Sequence, residues 1–122
     1  MPQPANQSLG RLGEQLALEH YQRLGLELVA RNHRTRAGEI DLIVRDARAI
    51  VFVEVKARRA GGLDPLLSVT ARKRRQMRKL AAAWLAEHPD RPYAATLRID
   101  AVAVVVDERN RLVSLDQIED VA

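Results

Sequence analysis

The sequence predicts an α/β domain in which a mixed sheet is flanked by helices in the order α-β-β-β-α-β-β, and three observations carry that expectation. Leucines recur at helical spacing near the start, two strand-like runs are separated by a short polar segment, and a nearly unbroken run of β-branched residues lies late in the chain. At 122 residues the chain fits one domain with one hydrophobic core, expected over residues 8–122 behind a flexible tail at 1–7.

Residues 1–7 are polar, hold two prolines and show no period, which predicts fraying. Ser8 is the expected N-cap of a helix over 9–24, where Leu9, Leu12, Leu16 and Leu24 form an apolar stripe widened by Ala17 and Tyr21, and Gly25 is the stop. Leu26, Leu28 and Ala30 alternate with Glu27, Val29 and Arg31, predicting a first strand that gives way to a basic loop over 32–37 and a break at Gly38. The runs 39–45 and 50–56 then form a hairpin around Asp46-Ala47-Arg48-Ala49. A flexible loop over 60–65 leads to a second helix, capped by Ser68 or Thr70, running to about Glu87 and stopped by Pro89, with Val69, Met77, Leu80 and Trp84 as its buried stripe. Residues 96–106 are apolar enough for a strand covered on both faces, and 112–115 make a short last strand before an acidic tail.

Composition excludes several classes of function. Hydrophobic residues make up 47% and charged residues 30% of the chain, and no run of about 18 apolar residues occurs that could span a membrane. The first ten residues carry neither a basic nor an apolar targeting region, so the cytoplasm is the expected compartment. The absence of cysteine excludes a disulfide framework, a thiolate zinc site, an iron–sulfur cluster and a cysteine nucleophile, so any metal must sit on oxygen or histidine. One Phe, one Trp and two Tyr are too few for recognition by several stacked single-stranded bases. The net charge of +4 is unevenly spread: residues 57–79 hold eight basic side chains and one acid, whereas 100–122 hold two basic and six acidic. A solvated helix face accounts for such a run. So does a phosphate footprint, which the 17 arginines among 20 basic residues favour through the bidentate fork of the guanidinium, although a GC-rich genome also yields arginine.

The hairpin holds the chemistry. In its second strand Val51, Val53 and Val55 alternate with Ile50, Phe52, Glu54 and Lys56, which places a carboxylate and an ammonium side by side on a face that is otherwise apolar. A structural ion pair is one explanation. Register offers another: a two-residue turn at Ala47-Arg48, or a four-residue loop, sets Asp41 directly opposite Glu54, and facing carboxylates repel unless a cation lies between them. Lys56 supplies one positive charge, and Mg²⁺, a hard ion that takes carboxylates and water, would supply the rest. Glu39 shares the face of Asp41. Glu14 falls at the edge of the first helix's stripe near Tyr21, with Gly10 and Gly13 expected to allow close approach to the sheet; a solvated Glu is the plainer alternative there.

The runs Gly38-Glu39-Ile40-Asp41-Leu42-Ile43 and Val51-Phe52-Val53-Glu54-Val55-Lys56 with Arg58 resemble the signature of the YraN-like bacterial proteins. Gly10-x-x-Gly13-Glu14-x-x-Ala17, Asn32-x-Arg34, Lys73 and Arg98-Ile99-Asp100 extend the resemblance over residues 10–115. That family is placed in the restriction-endonuclease-like nuclease superfamily and is similar to archaeal Holliday-junction resolvases. The resemblance implies a restriction-endonuclease-like fold and an active site of Asp41, Glu54, Lys56 and Glu14. Ile40 stands where the superfamily motif has proline, a departure the YraN-like group shares, and Ala57 stands where relatives often have Thr or Val.

The resemblance implies a metal-dependent DNA endonuclease acting on branched or structured DNA. Asp41, Glu54 and the Val55 carbonyl would hold Mg²⁺ or Mn²⁺, Glu14 and Glu39 would contribute to the metal site, and Lys56 would orient or deprotonate the attacking water. Arg58, Arg59, Arg72, Lys73, Arg75 and Lys79 are the expected phosphate contacts, with Lys73 leaning toward the catalytic face and its neighbours pointing outward. A homodimer is compatible with this reading. A non-catalytic nucleic-acid-binding module and a protein-binding adaptor are the alternatives.

Overall fold

A computed structural model describes residues 5–62 and 69–121. The chain runs α1 (Ala5–Arg23), β1 (Glu27–Thr35), β2 (Gly38–Arg45), β3 (Ala49–Arg59), α2 (Ala71–Glu87), β4 (Thr96–Val106) and β5 (Leu112–Ile118). The strands form one sheet in the order β1-β2-β3-β4-β5. Every neighbouring pair is antiparallel except β3 and β4, which are parallel and therefore need the long crossover that α2 supplies. This is the expected mixed sheet with two flanking helices, compatible with the restriction-endonuclease-like fold. Among the described residues no helix is long and apolar enough to cross a membrane.

Strand alternation divides the core between two faces. Val51 and Val53 meet Leu42, Val44 and Val102 beneath Ala17, Leu18 and Tyr21 of α1, whereas Ile43, Ile50, Phe52 and Ile99 lie under Met77, Leu80, Ala81 and Trp84 of α2. Each helix closes one face. The central strands are consequently apolar in both registers, and β4 is buried from Ile99 to Val104.

Several boundaries differ from those the sequence predicts. Helix α1 begins at Ala5, so residues 5–7 form its first turn rather than a tail, and Ser8 lies inside the helix instead of capping it. Leu24 lies past the helix end and is 56% exposed, because the chain turns at Gly25, whose φ of +92° suits glycine. Strand β1 continues through the expected basic loop to Thr35, and Arg58 and Arg59 end β3 rather than sitting in a loop, since ladder pairing with β2 and β4 extends both strands. Thr70 caps α2, its side chain accepting from Lys73 N at 3.2 Å; Val69 precedes the helix, and Ser68 with residues 63–65 of the expected loop lies outside the described residues.

The two glycines of α1 are not equivalent. A Cβ at Gly13 would stand 2.7 Å from Ala57 Cβ, so the helix lies close against the sheet at this residue, whereas Gly10 has nothing within 4 Å. Gly13→Leu is expected to destabilise the fold by ~1–3 kcal/mol through overpacking. Gly10→Ala is expected to stabilise it by ~0.5–1 kcal/mol through helix propensity alone. Urea unfolding of the two variants reads the difference, and equal shifts would refute it.

One buried polar knot joins three elements. Asp100, on β4, is 0% exposed and accepts from Tyr21 Oη at 2.7 Å, Gln117 Nε2 at 3.0 Å, Asp120 N at 3.0 Å and Arg98 Nε and Nη2 at 2.9 and 3.0 Å. Burial, followed by the charge of Asp100, holds the Tyr21 hydroxyl far above the ordinary phenol range, so it remains a donor. The hydrogen bonds that Arg98 donates to Asp100 raise the Arg98 pKa.

Candidate active site and basic face

The β2–β3 hairpin pairs Leu42 with Val53, Ile43 with Phe52, Val44 with Val51 and Arg45 with Ile50, the register expected of a two-residue turn. Asp46 closes that turn, its Oδ1 accepting from the Arg48 and Ala49 amides at 2.8 Å, and those bonds hold its carboxyl below the usual range. The ladder ends at Leu42 and Val53. Beyond it β2 stays with β1 as far as Gly38 while β3 follows β4 to Arg59, and the two strands part. Asp41 sends its carboxylate into the gap, where Oδ2 accepts the Val55 amide at 2.8 Å. It therefore reaches past Glu54 instead of pairing directly across from it.

Asp41 and Glu39 owe their orientation to a break in alternation. Ile40 and Ile43 both pack under α2 although they are three residues apart, which a regular pleat does not allow. Facing this break, between the pairs Arg31–Leu42 and His33–Ile40, stands Asn32 with φ of +52°, a left-handed conformation that Asn tolerates better than most residues. Carboxylate oxygens of Glu14, Glu39 and Asp41 lie within 4.8 Å of one another. With its amide nitrogen turned toward them, Asn32 donates to Glu39 Oε1 at 2.7 Å and to Glu14 at 3.1 and 3.2 Å. Arg34 Nε lies 3.5 Å from Glu39 Oε2, on a largely exposed side chain.

Crowding of acids shows in their protonation. Burial, and after it the charge of Glu54, push the Asp41 carboxyl from its ordinary value near 3.8 up to about 7; Glu14 and Glu39 add to the rise and the Val55 amide opposes it. Burial raises Glu14 as well, against the hydrogen bond from Asn32. Glu54, 6% exposed, is paired at Oε1 by Lys56 Nζ at 3.3 Å and Lys73 Nζ at 3.4 Å. A cavity of about 10 Å³, the room of one water, lies between Glu39, Ile40, Phe52, Glu54 and Met77. The donor set of the trio is oxygen only, half-buried and anionic, which fits a hard divalent cation such as Mg²⁺ or Mn²⁺.

Helix α2 divides its bases as the wheel predicts. Lys73 leans inward to Glu54, while Arg72, Arg75 and Lys79 are exposed and, with Ala37 and Gln76, line a surface groove. Gln76 Nε2 donates to Ala37 O at 2.7 Å and ties the β1–β2 turn to the helix. That contact needs Gly38, since a Cβ there would stand 2.6 Å from Gln76 Nε2 and φ is +142°. Arg34 and Arg36, both exposed on and next to the end of β1, are two basic residues that the expected phosphate set omits. Arg58 is exposed on β3. Arg59 is not free: Nη1 donates to Asp107 O and Asn110 Oδ1, both at 2.9 Å, because parallel pairing with β4 carries it to the β4–β5 turn.

The profile of the uncharacterised protein family UPF0102 matches residues 13–104. The chain belongs to that family. A UPF0102 protein from Mycolicibacterium vanbaalenii is 48% identical over 104 residues, covering 83% of each chain. Another from Nocardia farcinica is 47% identical over 106 residues, covering 86% of this chain and 82% of the relative. A third, from Acidothermus cellulolyticus, is 52% identical over 85 residues, covering 69% of this chain and 64% of that protein. The family span contains Glu14, Asn32, Glu39, Asp41, Glu54, Lys56, Lys73 and Asp100. It agrees with the YraN-like resemblance drawn from the motifs. Two contacts were not legible in the sequence: that of Asn32, a motif residue only, with the acids, which depends on a left-handed residue inside a strand, and that of Lys73 with Glu54, whose partner comes from another element.

Proposed function

We propose that this protein is a metal-dependent DNA endonuclease that hydrolyses phosphodiesters in branched or structured DNA. The observation that carries the reading is the convergence of Glu14, Glu39 and Asp41 in the gap where β2 leaves β3, with Glu54, the partner of Lys56 and Lys73, acting on Asp41 from the neighbouring strand. Glu14, Glu39 and Asp41 would hold Mg²⁺ or Mn²⁺, with Glu54 and the Val55 carbonyl completing the set. The bound ion supplies charge stabilisation at the phosphate and acidifies water. Lys56, anchored on Glu54, would orient the attacking water as a donor, while the metal-bound carboxylates would receive its proton. Arg72, Arg75, Lys79 and Arg58 bind backbone phosphates, reading shape more than base sequence.

Incubating the protein with junction, flap, linear duplex and single-stranded DNA in Mg²⁺ or Mn²⁺ tests the reading. Cleavage of a branched substrate, lost on chelation and lowered ~100-fold or more by Lys56→Ala, is expected. Absence of cleavage across the whole panel would overturn the catalytic reading. The non-catalytic module is favoured if binding persists without cleavage.

Binding should weaken steeply with salt. Each neutralised phosphate releases counterions, so Arg75→Ala and Lys79→Ala should each lower the salt slope by about 1 with little effect of base sequence. Fluorescence anisotropy at several salt concentrations reads this, and a wild-type protein without salt-dependent DNA binding would leave the helix a solvated face and favour the adaptor.

A further inference from the structure

Two ammonium groups converge on one buried oxygen where a single one would neutralise it. Glu54 is 6% exposed, and its Oε1 lies 3.3 Å from Lys56 Nζ and 3.4 Å from Lys73 Nζ. Lys56 follows Glu54 by two residues on β3 and shares its face wherever α2 lies. Lys73 arrives from a different element, the first turn of α2, and its side chain is 28% exposed. Bringing a second cation there repels Lys56 and strips water from the ammonium. The surplus of carboxylate beside it, Glu14, Glu39 and Asp41, offsets that cost. Lys73 thus occupies the electrostatic place of an added cation, and it holds Glu54, which lines the same small cavity as Glu39.

The same helix carries Arg72, Arg75 and Lys79 on its exposed side. We propose that Lys73 is a latch between the phosphate-binding helix and the acid site: without DNA it pairs with Glu54 and withholds that carboxylate from a divalent cation. With DNA along α2, Lys73 exchanges Glu54 for a backbone phosphate, and Glu54 joins Glu14, Glu39 and Asp41. The identity of the phosphate rests on the nuclease reading above. The flexible four-carbon stem of lysine permits the exchange without movement of the helix. Cation and DNA affinities are then coupled, each raising the other by the same factor.

Mn²⁺ titration of the DNA-free protein, followed by calorimetry, tests the latch in wild type, Lys73→Met, Lys73→Arg and Arg78→Met. Lys73→Met is expected to bind Mn²⁺ about 5-fold or more tightly than wild type, a coupling at the low end of those between distinct sites. Lys73→Arg should match wild type. Arg78→Met, which removes one charge from an exposed position of the same helix, should stay within about 2-fold, a shift that screening of surface charge allows. A phosphorothioate duplex, charged but resistant to cleavage, should then tighten Mn²⁺ binding in wild type more than in Lys73→Met. Equal affinities for Lys73→Met and Arg78→Met, weaker binding by Lys73→Met, or equal gains from the duplex would overturn the latch. If the substrate panel shows no cleavage while this Mn²⁺ pattern appears, the nuclease reading fails and the latch stands. If no protein binds Mn²⁺, both fall.

Discussion

Asp100→Ala should destabilise the protein by ~3–5 kcal/mol, enough to lower Tm by more than 10 °C in a domain of this size. The carboxylate is fully buried and accepts five hydrogen bonds from Tyr21, Arg98, Gln117 and the Asp120 amide. Truncation leaves the donors of Tyr21 and Gln117 unsatisfied and strands the Arg98 guanidinium without its main partner. Tyr21→Phe removes one donor and leaves the other four bonds, so it should cost only ~1–2 kcal/mol. Tyr21 lies on the same helix as Glu14, seven residues on, which places it about 10 Å along the axis. The knot therefore fixes one end of the element whose other part presents Glu14 to Asp41. Guanidinium unfolding of both variants checks this, and a cost for Asp100→Ala no greater than for Tyr21→Phe would show that the network is not a unit.

Asp41 is expected to make the metal-free protein lose stability as pH rises from about 4 to about 7. Its carboxyl is protonated up to about 7 in the native state and ionises near 3.8 in the unfolded chain. Between those values the native state binds more protons, so each step upward in pH favours unfolding; below the window the contribution is fully present, and above it the contribution is gone. The full span corresponds to ~4 kcal/mol, and solvent around this half-buried group should reduce the observed loss to ~2 kcal/mol. Asp41→Asn should flatten the slope and leave the metal-free protein more stable than wild type at about pH 8. Mg²⁺ should act in the opposite direction. It needs ionised carboxylates, so its stabilisation of wild type, ~1–3 kcal/mol at saturating concentration, should appear above the window and vanish in Asp41→Asn. Thermal melts across pH with and without Mg²⁺ report both effects. A wild-type Tm indifferent to Mg²⁺ at every pH would argue against a preformed cation site.

Much of the architecture was legible in the chain. β3 and α2 show their periods plainly: valines alternate with Ile50, Phe52, Glu54 and Lys56 along β3, and Met77, Leu80 and Trp84 return at helical spacing along α2. The hairpin register followed from a short turn, because turn length sets which residues face each other. Both determinants are local, so they survive without knowledge of the fold. The candidate acids also stood out as charges on apolar faces.

Their final arrangement was decided elsewhere. That Asp41 meets the Val55 amide depends on β2 choosing β1 while β3 follows β4, a competition between strand partners far apart in sequence. Strand periodicity could not reveal the left-handed Asn32 or the shared face of Ile40 and Ile43, since both are departures from that periodicity. Gly10 and Gly13 look alike in sequence, yet only Gly13 lies against Ala57, because helix docking angle selects which turn touches the sheet. Arg59 likewise reads as a free base and is held by the 107–110 turn. The sequence by itself determined the order and type of the elements and the inward stripe of α2, because those follow from 2.0- and 3.6-residue periods. Tertiary structure alone decided which acids share a cation-sized space and that Lys73 joins Lys56 on Glu54, because those contacts join side chains carried by different elements.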